Sequence, residues 1–464
     1  MDMQHTIGFL RGTALSFFAA LALCGQAVGQ SANGETQTTN EPPRWRLTKP
    51  MLTSRFGHTA VSLPDGHVLV TGGFGGKGGG RVLASSELYD AESQRWLKTG
   101  SMTVPLLAAK AVLLRDGRVL VAGGRSVETI TVSTGSVTGL SFDGTPLAEM
   151  YTPERGAWSA VGPMATGRLR HTLTALQNGR VLAVGGQSGT KDGGVYEVLG
   201  SAELFDPTQG AWLATGSMVA HRTCHTATLL SDGKVLVAGG RTERPTYGSK
   251  TATSSAELYD PATGTWTEAA HMRAARCGHT ATLLRSGKVL VAGGEDDERA
   301  DEDAVVAEVI KEKGPNVTAA DLDAAIAKDA RPYLNSVEIY DPATGQWSSA
   351  GRMSGARSEH TAVLLPNGNV LFARGRDSRS LDLDSAEIYD VTKGASIATV
   401  PMHDAVGSGA TLSLLPNGKL LAAGGDRGYV ESKPGFRERL ARGIFREDDF
   451  NNNSALASAE LLDY

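Results

Sequence analysis

The sequence has few cysteines, no surplus of positive charge and no long apolar stretch beyond its first residues. Three cysteines in 464 residues are too few for a disulfide scaffold or a four-cysteine zinc site. Basic residues number 45 and acidic residues 50, a net charge of −5, whereas general nucleic-acid-binding proteins are normally basic. No run after residue 29 is apolar enough to cross a bilayer. We therefore expect neither a nucleic-acid partner nor a transmembrane segment.

Glycine, in contrast, is plentiful, with 57 residues against 18 prolines. Many glycines without a G-x-y period exclude a collagen-like chain and favour the numerous tight turns of an all-β protein. Hydrophobic residues make up 41% of the chain and charged residues 20%, which excludes wholesale disorder and allows a sizeable core.

The first 29 residues have the features of a secretory signal peptide. A short apolar run, Ala14 to Leu23, is followed by Ala27-Val28-Gly29, which matches the small-x-small cleavage pattern. Cys24 could mark a lipoprotein instead, but the residue before it is leucine rather than a small residue. Residues 30–43 are polar and predict a flexible leader. We expect export to the periplasm or the extracellular space after cleavage near Gly29.

An internal repeat runs through residues 44–464. Gly-Gly pairs mark six units, and the degenerate Arg374-Gly375 marks one more, which gives seven. Every tryptophan lies six residues before a methionine, and we assign these residues a structural role: Trp45, Trp96, Trp158, Trp212, Trp266 and Trp347. A glutamate precedes the hydrophobic–aromatic pair in every unit, again as a structural residue: Glu87, Glu149, Glu203, Glu257, Glu338, Glu387 and Glu460.

Each unit predicts four strands. Strand a follows the pattern HTATLL, and an Asp-Gly or Asn-Gly pair then predicts a two-residue hairpin turn. Strand b, KVLVAGG, is continuously apolar, as expected of a strand buried on both faces. Strand c, SAELYD, precedes a strand d that carries the tryptophan. Four-stranded units of this length predict a seven-bladed β-propeller.

The two ends of the repeat region complement each other. Residues 458–464 form a strand c with no strand d after it, and residues 44–47 form a strand d with no strand c before it. Together they make one whole unit. We therefore expect the N-terminal strand to complete the last blade, so that the ring closes without an open sheet edge.

The Gly-Gly pair, the Tyr-Asp-Pro sequence and the tryptophan six residues before a methionine resemble kelch repeats, over residues 44–464. The resemblance implies a kelch-type propeller similar to that of galactose oxidase. It implies no single activity, because kelch propellers include adaptors, sugar-processing enzymes and a copper oxidase.

The b–c and d–a loops share one face of such a propeller, and the b–c loops vary in length from residues 376–384 to residues 295–334. Variable loops on a rigid scaffold are typical of a binding face. Two insertions, 295–334 and 426–457, lie on this face. The first predicts short helices near 303–313 and 319–329 and the second a basic helix within 427–446, and the role of both stays open.

The d–a loops carry an R-x-x-H-T motif in five units, and its arginines are Arg55, Arg168, Arg222, Arg276 and Arg357. These arginines could form a ring that binds a carboxylate or phosphate ligand, or they could pair with the glutamates of strand c. In the second unit Lys110 replaces the threonine of the motif and is a further candidate ligand-binding residue. The histidines fit hydrogen-bonded strand residues better than metal ligands, so we predict no metal site.

We expect a secreted interaction module that binds a protein or a glycan on this face, without catalysis and without a cofactor. The alternative is a carbohydrate-active enzyme on the same scaffold. The resemblance offers a copper radical oxidase, which needs two tyrosines, two histidines and a cysteine bonded to one tyrosine, or a mutarotase or epimerase for acidic sugars. Cys224 and Cys277, in neighbouring d–a loops, could form a disulfide or remain thiols.

Overall fold

The computed structural model describes most of the repeat region. The described residues are 43–76, 81–132, 135–140, 144–189, 197–243, 251–296, 309–314, 317–318, 321, 333–377, 381–426 and 455–463. They belong to one compact unit, Pro43–Tyr464, and most of their regular structure is β-strand. This confirms the expected all-β class.

The main strands fall into four sets that match the predicted strands a to d. The a strands are Thr59–Ser62, Lys110–Leu113, Thr172–Ala175, Thr226–Leu229, Thr280–Leu283, Thr361–Leu364 and Thr411–Leu414. The b strands are His67–Thr71, Val119–Ala122, Val181–Val184, Val235–Ala238, Val289–Ala292, Val370–Ala373 and Leu420–Ala423. The c strands are Ser86–Asp90, Ala148–Thr152, Ala202–Asp206, Ala256–Asp260, Ser336–Asp341, Leu383–Asp390 and Ala459–Asp463. The d strands are Arg95–Lys98, Ala157–Ala160, Ala211–Ala214, Thr265–Ala269, Gln346–Arg352, Ala395–Val406 and Arg44–Leu47.

Neighbouring strands of a set of four pair antiparallel in the order a, b, c, d, and we number these sets unit 1 to unit 7 by their a strands. Units 5 and 6 share one eight-stranded sheet, because Arg352 and Ala395 of their d strands also pair. Each a strand contacts the a strands of both neighbouring units, and the a strand of unit 7 contacts that of unit 1. The a strands thus form a closed inner ring, as in a β-propeller.

The N-terminal strand completes unit 7, as the sequence predicts. Arg44–Leu47 pairs antiparallel with Ala459–Asp463, with Trp45 opposite Leu462 and Arg46 opposite Leu461. The Trp45 side chain is 5% exposed and packs in a cluster with Leu420, Leu462 and residues of unit 6. The ring of units is therefore closed by burial of the Trp45 indole as well as by strand pairing.

The tryptophans of strand d pack on aromatic side chains of strand c. In unit 1 the rings of Tyr89 and Trp96 are 5.0 Å apart, and Trp96 Nε1 donates to the carbonyl of Lys49 at 2.9 Å. Trp266 and Trp347 donate in the same way to Gly216 and Ala270. Each of these carbonyls belongs to the chain that leaves the d strand of the preceding unit, so the indole ties adjacent units together.

The turn between strands a and b differs from the prediction. In unit 1, Gly66 N donates to Leu63 O at 3.1 Å and Leu63 N donates to His67 O at 2.8 Å, so the loop has three residues rather than two. Gly66 has a φ of +91°, whereas Asp65 has no positive φ. This is a type I turn followed by a glycine bulge. The Asp65 side chain accepts the His67 N–H at 3.0 Å, which explains the preference for Asp or Asn here.

The insertions are described only in part. The predicted basic helix within 427–446 lies outside the described residues, as does most of the helical segments near 303–313 and 319–329. Residues 309–314 are helical, and Thr318 and Asp321 exchange reciprocal hydrogen bonds as in a capping box. A hairpin of Val127–Val132 and Gly135–Leu140 was not expected from the sequence. Among the described helical residues, none forms a helix long and apolar enough to span a membrane.

Candidate functional site at the channel mouth

The five repeated arginines are buried, with at most 2% of each residue exposed. In unit 1, Arg55 Nη1 donates to Gly72 O at 2.8 Å, and Nη2 lies 2.7 Å from Glu87 Oε1. The other four arginines pair in the same way with the strand-c glutamate of their own unit: Arg168 with Glu203, Arg222 with Glu257, Arg276 with Glu338 and Arg357 with Glu387. Burial lowers the pKa of each arginine, and the glutamate counteracts this.

Each glutamate also holds the loop that enters its unit. Glu87 accepts the backbone N–H of Leu52 at 2.7 Å and of Thr53 at 3.0 Å, both in the segment that joins unit 7 to unit 1. The carboxylate thereby satisfies two loop amides and one guanidinium at once. The structure thus favours internal pairing over ligand contact for the five arginines that the sequence marked as candidate ligand-binding residues.

Two units lack the arginine, and their strand-c glutamates have different hydrogen-bond partners. In unit 2 the position is Leu106, and among the described residues Glu149 is hydrogen-bonded only by the N–H groups of Thr103 and Val104. In unit 7, Glu460 receives a hydrogen bond from Arg374, a residue of unit 6.

The repeated histidines directly precede the a strands and are buried. Most of them hydrogen-bond to a residue of an adjacent unit. His58, His225, His279 and His360 each place Nε2 within 3.0–3.1 Å of a threonine hydroxyl of an adjacent unit. Burial and the nearby arginine lower the pKa of three of these histidines to about 3: His58, His225 and His279. These imidazoles are therefore neutral at ordinary pH, and their part in the repeat is structural.

His171 is the exception, because Lys110 occupies the position of its threonine partner. Among the described residues, neither ring nitrogen of His171 has a hydrogen-bond partner. Burial, and then the charge of Lys110, lower the pKa of His171 well below its usual value. The Lys110 side chain is solvent-accessible but enclosed by protein, as expected for a side chain that projects into a channel, and this enclosure lowers its pKa.

One residue from each d–a loop forms a ring at the opening of the inner channel. All seven have left-handed backbone angles, with φ between +55° and +69°: Gly57, Ala108, Arg170, Cys224, Gly278, Glu359 and Gly409. Backbone hydrogen bonds connect several of them, including Ala108 N to Gly57 O and Glu359 N to Gly278 O, both at 2.8 Å. We call this set the mouth ring. Non-glycine residues rarely adopt such angles, and strained positions cluster at functional sites.

A second layer of residues lies beside the mouth ring. The residue after the Gly-Gly pair of strand b forms a backbone bridge with the residue just before the ring position, as in Leu107 with Arg125, Thr223 with Arg241 and Cys277 with Glu295. The d–a and b–c loops therefore meet around the channel. This confirms that these two loop sets share one face.

The side of the mouth built by units 2 and 3 is cationic. Three cations lie close together here: Lys110, Arg125 and Arg170. Desolvation is the main cause that lowers the pKa of Lys110 and of Arg125, and the charge of Arg170 lowers both further. Within the described part of the chain none of the three forms a salt bridge with a carboxylate, and Arg125 Nε is buried without a hydrogen-bond partner. Arg170 donates instead to Cys224 Sγ at 3.5 Å. This side of the mouth therefore has unbalanced positive charge.

The side built by units 4 to 6 has paired charges. Arg241 forms a short hydrogen bond to Glu295, which also accepts a hydrogen bond from Cys277 Sγ at 3.4 Å. In unit 6, Arg376 lies 3.9 Å from Glu359 of the mouth ring. Glu359 also raises the pKa of Arg170 from across the channel, although the neighbouring Cys224 contributes more.

Sequence reasoning identified Lys110 but missed Arg125 and Arg170. A comparison of equivalent positions between units could have found them. The position equivalent to Arg170 is glycine in three other units, and the position equivalent to Arg125 is not arginine in most of the other units. A charged residue where a repeat prefers glycine is an irregularity without an evident structural role.

The strand-c tyrosines do not fit the ligand set of a copper radical oxidase. The strand-c tyrosines lie two strands, about 10 Å, from strand a, beside which the histidines are buried, so the two groups cannot meet at one ion. Cys224 and Cys277 lie beside Arg170 and Glu295 rather than bonded to a tyrosine. Of the loop tyrosines, Tyr196, Tyr247 and Tyr429 lie outside the described residues, whereas Tyr333 forms a backbone bridge with Glu295 at the mouth.

Comparison with known proteins agrees with this architecture. The Kelch motif family matches residues 222–273 and 328–354. Human Kelch-like protein 34 is 30% identical over 203 residues, which cover 42% of this chain and 29% of that protein. Beta-scruin of Limulus polyphemus is 26% identical over 208 residues, which cover 44% of this chain and 21% of that protein. The chain thus matches less than a third of the length of either relative.

Among solved structures, a fungal alcohol oxidase determined in complex with copper superimposes with a TM-score of 0.61. The superposition covers 90% of this chain and 76% of that one at 14% sequence identity. Likeness at this level of identity shows a common fold.

Proposed function

We propose, since this chain belongs to the kelch-repeat family, that it is an exported propeller module that binds a protein partner through an acidic side chain at the channel mouth. Kelch repeats indicate a propeller interaction module. The partner, the face and the export are our proposal.

The observation that carries the proposal is the group of unbalanced cations formed by Lys110, Arg125 and Arg170. The five buried arginines of the repeat each form a salt bridge with a glutamate, whereas among the described residues none of these three forms a salt bridge with a carboxylate. Three positive charges held together repel one another, and although Cys224 and Glu359 offset part of this repulsion at Arg170, a bound carboxylate would lower the free energy further. Arginine and lysine at a partly desolvated opening are suited to that group.

The mouth suits a protein side chain better than a neutral sugar. A neutral glycan would displace water from Lys110 and Arg170 without supplying negative charge, which is unfavourable. An extended acidic segment could place its carboxylate between these cations while its neighbours contact the b–c loops around the rim. The predicted signal peptide supports an exported partner or a partner in the same compartment.

The test uses a fluorescein-labelled hexaglutamate peptide, with hexaglutamine as the neutral control and an array of neutral and uronic-acid glycans beside them. We expect hexaglutamate to bind and hexaglutamine not to bind. Lys110→Met and Arg170→Gln should each weaken binding by about tenfold, the value of one charge-assisted hydrogen bond. The matched control is Lys98→Met, which removes an exposed lysine from an outer strand.

Binding of hexaglutamate that survives both mouth substitutions would contradict the proposed site. Retention of neutral glycans alone would favour the glycan alternative instead. The expected binding should also weaken with added salt, because the attraction is between charges. Export is tested separately, by detecting a mature chain cleaved near Gly29 outside the cytoplasm.

A further inference from the structure

Two cysteines from adjacent units meet at the channel mouth. Cys224 is a residue of the mouth ring in unit 4, and Cys277 lies one residue before the ring position of unit 5. This difference in position brings the two thiols close enough for each to shift the pKa of the other, and no disulfide joins them. Cys224 is partly exposed, whereas Cys277 is 1% exposed.

The two thiols have different surroundings. Arg170 Nη1 donates to Cys224 Sγ at 3.5 Å, and Lys110 and Arg241 are close enough to interact with its charge. Interaction with Cys277 and the charges of Arg170 and Arg241 lower the pKa of Cys224 well below its usual value. Interaction with Cys224 and burial raise the pKa of Cys277. The surroundings therefore favour the ionised form of the partly exposed Cys224 and the protonated form of the buried Cys277.

A carboxylate is in place to receive the proton of the second thiol. Cys277 Sγ donates to Glu295 Oε1 at 3.4 Å. Glu295 is buried and held by Arg241, so its position relative to Cys277 is defined by their backbone bridge and by an ion pair. Arg170, Cys224, Cys277 and Glu295 therefore follow one another around the mouth.

We propose that Cys224 is a hydroperoxide-reactive nucleophile at the channel mouth and that Cys277 is its resolving partner. The proposal rests on the geometry of the thiol pair, and the thiol reactions that test it need no bound partner. It assigns to this face a redox reaction in addition to interaction.

The reaction consumes one hydroperoxide and both thiols. The Cys224 thiolate attacks the terminal oxygen of the hydroperoxide, an S–O bond forms, the O–O bond breaks, and the leaving alkoxide takes a proton from solvent. Cys277 then gives its proton to Glu295 and attacks the Cys224 sulfur. An S–S bond forms, the S–O bond breaks, and the leaving hydroxide takes up a proton to become water. The thiols lose two electrons, and the products are a disulfide, an alcohol and water.

The arrangement fits general thiol chemistry. A thiolate beside cations and open to solvent is the form that reacts with peroxides, and a neighbouring thiol converts the sulfenic acid to a disulfide before further oxidation. Cys224 and Cys277 satisfy these conditions, one by charge and exposure and the other by contact. Cys24 lies in the predicted signal peptide and takes no part.

The experiment treats the full chain carrying Cys24→Ser with hydrogen peroxide and follows its intact mass. We expect a product lighter by two hydrogen atoms, restored by dithiothreitol. Cys277→Ser should instead accumulate a sulfenic acid at Cys224 that dimedone traps. Cys224→Ser should leave Cys277 unmodified under the same conditions.

A second measurement does not depend on disulfide formation. Alkylation of Cys224 by iodoacetamide at pH 6 should be about tenfold faster than that of an ordinary cysteine, because more of it is thiolate. Arg170→Gln should slow this reaction, and Arg170→Lys should largely preserve it. The groups that face Cys224, namely Arg170, Lys110, Arg241 and Cys277, are the ones expected to affect its pH profile.

Three results would overturn the proposal. These are retention of both thiols in excess peroxide, alkylation of Cys224 no faster than that of free cysteine, and equal reactivity of Cys277 when Cys224 is serine. Loss of hexaglutamate binding with normal thiol chemistry would contradict only the partner proposal.

Discussion

Arg374 Nη2 lies 3.3 Å from Glu460 Oε1, so a residue of unit 6 supplies the cation for the buried glutamate of unit 7. Arg374 Nη1 also donates to Gly424 O at 2.8 Å, which is the bond that Arg55 makes to Gly72 in unit 1. In unit 7 the usual arginine position holds Val406, which cannot pair. The degenerate Arg374-Gly375 is therefore a compensation for that missing arginine.

This relationship predicts that Arg374→Gly destabilises the protein even though it restores the repeat pattern. The change relieves a left-handed φ of +63° but leaves Glu460 buried without its arginine. We expect a net loss of about 2–4 kcal/mol in the free energy of unfolding, measured by chemical denaturation. The double variant Arg374→Gly/Val406→Arg should recover most of it. A double variant no more stable than the single one would contradict the compensation.

The N-terminal strand predicts a contrast between two of its own residues. Trp45 is 5% exposed, so Trp45→Ala should lower the free energy of unfolding by about 3–5 kcal/mol. Leu47 lies on the same strand but is 58% exposed, and Leu47→Ala should change stability by less than about 0.5 kcal/mol. Thermal unfolding of both variants measures the difference. Equal melting temperatures would show that this strand does not stabilise the ring.

Much of the fold could be predicted because the same residues recur at the same spacing in successive units. Trp96 and its counterparts share one spacing to methionine, and that spacing reflects one packing contact used in successive units. The split unit at residues 44–47 and 458–464 likewise predicted the strand pairing of Trp45 with Leu462. Periodicity is a strong signal because each unit packs on its neighbours through the same kind of contact.

The candidate site was harder to predict because it depends on exceptions to the repeat. The five arginines are regular and proved to be internal, as Arg55 shows. Lys110 is irregular and was identified, but its neighbours Arg125 and Arg170 come from different loops. Their proximity appears only when units are arranged in space. The turn at Asp65-Gly66 was assigned one residue too few, because a dipeptide does not distinguish a type I′ turn from a type I turn with a glycine bulge.

Two glycine substitutions separate backbone strain from steric overlap. Gly210 has a φ of +65° and open space around an added Cβ, so Gly210→Ala should cost about 1 kcal/mol. Gly240 has a φ of +99°, and an added Cβ would lie 2.6 Å from Thr223 O. Gly240→Ala should therefore cost about 1–3 kcal/mol more. Equilibrium denaturation measures both changes in the free energy of unfolding. Equal changes would mean that the backbone near Thr223 shifts to remove the overlap at no cost in stability.

Acidification should destabilise the protein because of its buried histidines. His58, His225 and His279 have pKa values lowered to about 3 by burial and by arginine, against about 6.5 in the unfolded chain. Between these values the unfolded state binds more protons than the folded state, so stability decreases as the pH falls below 6.5. Each histidine contributes up to about 1.4 kcal/mol per pH unit.

The measurement is the urea midpoint at pH 7.5, 6 and 5. His279→Gln removes one titrating ring and should reduce the dependence on pH. His221 is exposed and provides the matched control, since His221→Gln should leave the slope unchanged. A midpoint that stays constant from pH 7.5 to pH 5 would contradict the expected neutral state of these rings.

Closure through Arg44–Leu47 has a consequence for the order of events in the cell. These four residues leave the ribosome before every other strand of the ring, yet their partner, Ala459–Asp463, is made last. Throughout synthesis the indole of Trp45 has no completed sheet to cover it. Unit 7 therefore cannot assemble before the other strands of the ring have been made, and the early segment must be kept from pairing with the wrong strand until Ala459–Asp463 is available.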